Sequence, residues 1–81
     1  MKHAGEIALA AIADQLAQIR TLNLKERSAG VFYFKSKPFL HFHEDPSGIY
    51  ADVRVDVEWE RFAIADPVAW RKLLKRINDA L

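Results

Sequence analysis

Phe39-Leu40-His41-Phe42-His43-Glu44-Asp45 is the stretch whose reading decides the fold. Two histidines alternate with Leu40 and Phe42, the period of a β-strand with one face in a core and the other outside. Pro46, Ser47 and Gly48 follow as turn formers. Residues 49–57 then alternate again, with Ile49, Ala51, Val53, Val55 and Val57 on one face and Tyr50, Asp52, Arg54 and Asp56 on the other. An antiparallel pairing of Glu44 with Ile49 sets Phe42 beside Ala51 and Leu40 beside Val53 inside. It sets His41 beside Asp52 and His43 beside Tyr50 outside. A slip of one residue would bury the histidines, so the register is strongly specified.

Working outward, residues 31–35 form an aromatic-rich strand, and Ser36-Lys37-Pro38 reads as a three-residue hairpin loop. That loop pairs Phe34 with Leu40 and Phe32 with Phe42. The outer face is then expected to carry three rows: Val31, His43, Tyr50; Tyr33, His41, Asp52; Lys35, Phe39, Arg54. Residues 23–30 are polar and end in Gly30, which predicts a loop. Residues 5–22 carry Leu9, Ile12, Leu16 and Ile19 at helical spacing among alanines, an amphipathic helix. Downstream, residues 58–60 predict a turn into a short strand over 61–65, with Phe62 and Ile64 inward. Asp66-Pro67 is a helix start, an acceptor for the first free amides followed by a residue pre-set for helix. Trp70, Leu73, Leu74, Ile77 and Leu81 form its apolar stripe; Arg71, Lys72, Lys75 and Arg76 face the other way.

The expectation is a single α+β domain over residues 1–81, in the order α-β-β-β-β-α. Its antiparallel meander sheet has both helices packed on one face and the other face open. A chain of 81 residues with 51% apolar and 28% charged residues is an ordinary globular composition. It leaves little material for a deep active-site cavity. With no cysteine there is no disulfide, thiolate nucleophile or thiolate zinc site, which fits a reducing cytoplasm. The apolar segment at residues 7–13 is too short to span a bilayer, so no membrane association and no targeting signal are expected. Twelve Lys and Arg against eleven Asp and Glu give a formal charge of +1, so any attraction to polyanions must be local.

His41 beside Asp52 is first of all a solvated cross-strand pair contributing a few tenths of a kcal/mol. The same residues with His43 offer three ligands to a divalent metal, the one cofactor the chain suggests, although H-x-H spacing alone is a weak signal. Acid–base work by His41 and Asp52 lacks a nucleophile and a phosphate loop to serve. Three aromatics in water, Tyr33, Phe39 and Tyr50, together with His41, His43, Asp52 and Arg54, make a patch that calls for cover. The expected function is a non-enzymatic interaction module whose open face meets a protein partner or a second copy. Divalent-metal binding is one alternative and weak nucleic-acid binding another. The acids Glu44, Asp45, Asp52 and Asp56 on or beside the patch argue against nucleic acid.

The block GVFYFKSKPFLHFHEDPSGIYADVRV resembles small bacterial proteins that share an F-L-H-F-H-E-D-P…G…A-D-x-R pattern. The order of helix, meander sheet and C-terminal helix is similar to the YjbR-like family, a resemblance that implies DNA binding, and to the layout of frataxins. The K-S-K-P-F turn only echoes the Gly-Lys-x-Phe turn of the former, and the acidic helix ridge of the latter is missing. Layout alone carries no function.

Overall fold

The computed structural model describes residues 2–81. In chain order its elements are β1 (Lys2–His3), α1 (Glu6–Ala11), α2 (Ala13–Arg20), β2 (Lys25–Ser28), β3 (Val31–Phe34), β4 (Lys37–Asp45), β5 (Gly48–Val55), β6 (Glu58–Ala63) and α3 (Pro67–Ala80). The protein is α+β with an antiparallel meander sheet in the order β2-β3-β4-β5-β6. β1 adds to β4 alongside His43 and Glu44, beyond the residues that β3 pairs.

The β4–β5 register is the expected one, with Leu40 opposite Val53, His41 opposite Asp52, Phe42 opposite Ala51, His43 opposite Tyr50 and Glu44 opposite Ile49. Alternation enforces it. Leu40, Phe42, Ala51 and Val53 are fully or almost fully buried. They share one core cluster with Ile12, Leu16, Ile19, Leu73 and Ile77 from the helices, which therefore cover the same sheet face.

The first hairpin differs from expectation. Its turn is Lys35-Ser36, both at positive φ (53° and 67°), and Phe34 pairs with Lys37. Two left-handed residues in a two-residue loop match the twist of the flanking strands. Phe32 then faces Leu40 and Tyr33 faces Pro38, so Phe39 is an extra residue bulged into β4. The bulge keeps the strand faces in step and turns Phe39 into the core beside Phe34, at a ring separation of 5.7 Å. Phe39 is therefore not a residue of the open face. Pro38 is tolerated because β5 pairing begins only at Leu40.

Three further departures are local. The first helix is two short segments joined at Ile12 (φ −115°, ψ 30°), with Ala8 and Ile12 buried before the break and Leu16 and Ile19 after it. Residues 25–28 are an edge strand rather than a loop. It is short, charged and carries a register shift between Glu26 and Ser28, all features that protect an edge from foreign pairing. The β5–β6 turn is Asp56-Val57, with Asp56 at φ 58°. Val57 thus sits in solvent at 86% exposure instead of ending the inward row, while Phe62 and Ile64 are buried as expected.

Gly30 (φ 76°) turns β2 into β3, and a Cβ there would stand 2.9 Å from Leu9 Cδ2. Its amide donates to Glu26 Oε2 (3.0 Å), and Glu26 also takes the Arg20 fork at 2.8 and 2.9 Å. One carboxylate thereby ties the end of α2 to the β2–β3 turn.

Asp66 caps α3 by accepting from the Val68 amide at 2.9 Å, with Pro67 next in the chain. Asp66→Ala should lower the stability by about 1 kcal/mol. Urea unfolding followed by Trp fluorescence measures it; no change in midpoint would mean the cap carries no weight.

Candidate functional site on the open sheet face

The strand alternation that buries Leu40 and Phe42 necessarily turns His41 and His43 outward. Beside them β1 delivers a third imidazole. His3 lies opposite His43, with ring centroids at 4.8 Å from His43 and 5.6 Å from His41, while His41 and His43 are 5.9 Å apart. The sequence carries no signal for this, since a two-residue strand has no periodicity to read.

β6 brings a further pair that the misplaced turn had hidden. With the turn at Asp56-Val57, Arg54 lies opposite Trp59 and Asp52 opposite Arg61. Arg61 binds Asp52 through both nitrogens of its fork, Nε to Oδ1 at 2.7 Å and Nη2 to Oδ2 at 2.8 Å. Asp52 is only 9% exposed. These hydrogen bonds hold its carboxyl below the usual range, against the opposing effect of burial.

His43, not His41, approaches this carboxylate. Its Nδ1 lies 3.0 Å from Asp52 Oδ2, buried, in an approach not aligned for a hydrogen bond. The contact is diagonal across the strands, within reach of a long side chain. His41 instead lies against Trp59, at 4.8 Å between ring centroids and 37° between planes. Burial, followed by the neighbouring His3 and His43, pushes the His41 pKa down. The expected acid–base pair of His41 with Asp52 is thus divided between two histidines.

The expected metal set of His41, His43 and Asp52 is also not assembled as such. Both Asp52 oxygens are occupied by Arg61. Among the described residues no group of three His, Asp or Glu side chains converges as a metal would require.

Each outer aromatic carries a guanidinium of the same chain. Arg27 stands over Tyr33 at 4.9 Å, Arg54 over Trp59 at 5.9 Å and Arg61 over Tyr50 at 5.9 Å. Tyr33 lies opposite Pro38 and Lys25 rather than in a row with His41, a direct result of the two-residue shift in the first hairpin. Lys35 has left the face for the turn.

The acids expected to spoil this surface are mostly elsewhere. Glu44 points to the helix side, accepting from the Gly5 amide (3.1 Å) with Lys2 at 3.6 Å. Asp45 stands at the rim, where it accepts from the Ser47 amide and hydroxyl. The basic stripe on α3 is partly neutralised, with Arg76 at 3.2 Å from Glu60 and Lys75 at 3.6 Å from Asp79. A concavity of about 520 Å³, between the two hairpin turns and the end of α3, mixes Lys35, Lys37, Arg54 and Arg76 with Asp56 and Asp79.

No protein-family model matches the chain. Nor does any curated protein or solved structure. No described helix is long and apolar enough to cross a membrane.

Proposed function

We propose that the protein is a non-enzymatic interaction module whose open sheet face meets another protein. The observation that carries the reading is the contrast between the two faces. One is covered by all three helices, and the other presents Tyr33, Tyr50 and Trp59, each beneath an arginine, beside three imidazoles. Trp59, on the edge strand β6, is 45% exposed. Arginine, tyrosine and tryptophan are the residues that dominate binding energy at protein interfaces. A second copy is the poorer occupant, because two such faces would oppose arginine to arginine.

Site-specific photocrosslinking in the living cell tests this. A benzophenone amino acid at Trp59 is expected to give adducts with another protein, while the same probe at Lys72 on α3 gives none. Adducts from Lys72 alone, from both positions equally, or from neither would overturn the proposal. Light scattering over a concentration series is expected to show a monomer.

A further inference from the structure

Resting on that reading, we infer that the segment docking on the open face is acidic, a stretch of polypeptide presenting Asp and Glu carboxylates to Arg27, Arg54 and the histidines. Charge is the first argument. Lys25, Arg27, Arg54 and Arg61 belong to this face, whereas its one central acid, Asp52, is already neutralised by Arg61. Among the described residues Asp45 at the rim and Asp56 in the β5–β6 turn add negative charge at its borders. A chain whose total charge is +1 therefore collects a local excess of cations on its uncovered side.

The second argument separates polypeptide from nucleic acid, the other polyanion. Base binding to a sheet needs aromatic faces open for stacking. Here Tyr33, Tyr50 and Trp59 each already carry a guanidinium, and Trp59 also stacks against His41. Arg27 is exposed and Arg54 partly so. A guanidinium held over a ring has lost side-chain freedom before binding, and its paired N–H donors suit a carboxylate. Arg61 shows the pairing within the chain, on Asp52. Arg27 and Arg54 have no carboxylate partner of their own among the described ion pairs.

The histidines add a dependence on pH. The groups facing them are Val31 from β3, Asp52 and Tyr50 from β5, and Trp59 and Arg61 from β6, with His3 on β1. The one anion is committed, so carboxylates brought by a partner would favour the imidazolium form of His41. Protonation and docking then reinforce each other.

Fluorescence anisotropy with three labelled probes decides the matter: a short Glu-rich peptide, the same peptide with Gln in place of Glu, and a single-stranded oligonucleotide, all at about 0.15 M salt. The Glu peptide is expected to bind at least about tenfold more tightly than the Gln peptide, and Arg27→Ala with Arg54→Ala to remove that margin. Its affinity is expected to rise about threefold or more from about pH 7.5 to about pH 5.5, where Glu is still ionised. His41→Gln with His43→Gln should abolish the rise. Circular dichroism of each variant confirms the fold. Equal binding of the Gln peptide, or tighter binding of the oligonucleotide, would overturn the inference. Should the Trp59 probe crosslink a protein while the Glu peptide fails to bind, the face is a docking site and its acidic preference alone is wrong.

Discussion

Phe42→Ala should cost about 3–5 kcal/mol of stability, enough to remove a large share of what an 81-residue domain possesses. Phe42 is 1% exposed and meets Phe32 edge-on, with centroids 6.2 Å apart. Its backbone is equally committed: its amide donates to Gly30 O and its carbonyl accepts from the Ala4 amide, both at 3.0 Å. Truncation leaves a cavity at the middle of the sheet that neither neighbouring strand is free to close. His41→Ala, one residue away, should change stability by less than about 1 kcal/mol, since it loses only contacts on the outer face. Urea unfolding of the two variants measures the contrast directly. Comparable losses, or a larger loss for His41, would mean that the strand faces are reversed.

Acid lability is the second large effect, and its sign follows from two lowered pKa values. The Asp52 carboxyl lies below its ordinary value in the folded chain, so the unfolded chain takes up that proton first. Its stabilisation is complete above the unfolded value of about 3.9 and is lost as the pH falls through the depressed folded one. His41 is also lowered from 6.5, so the folded state resists its protonation and stability begins to fall below that pH. Its share is the smaller, because the ring is only half-buried. Asp52→Asn should lower stability near neutral pH by about 1–3 kcal/mol and flatten the decline below about pH 4. Residual slope belongs to Glu26 and Asp45, both also lowered by hydrogen bonds. His41→Gln should flatten the decline that begins below about pH 6.5. Urea midpoints collected across pH decide both, and a variant with the slope of the parent chain would refute the assignment for that residue.

The parts of the fold legible in the sequence are those written in side-chain alternation. Residues 40–55 have one face apolar and one polar, and a single register satisfies both strands. The cap at Asp66 was legible for a similar reason, because one local rule governs it. The first hairpin was not, because Lys35 and Ser36 adopt left-handed conformations that ordinarily call for Gly or Asn. Pro38 looked like a turn residue, and a bulge was needed to bring Phe39 inward. β2 was hidden by polarity, the very property that lets a strand stand at an edge. For the open face, His41, His43, Tyr50, Asp52 and Arg54 followed from the pattern. Arg61 and Trp59 would have followed with the turn two residues earlier. His3 lies some forty positions from its partner, and only the folded chain brings it there.

The order in which the strands are joined also has a kinetic consequence. From β2 to β6 each strand pairs with its successor in the chain, so the sheet can zip from any hairpin with little loop entropy to overcome. The docking of β1 on β4 is the exception, closing a loop of some forty residues for the sake of two paired residues. It therefore forms late and opens first. Each opening withdraws His3 from its two companions, so the rate at which the trio of imidazoles assembles is set by the opening of this two-residue pairing while the sheet beneath stays closed.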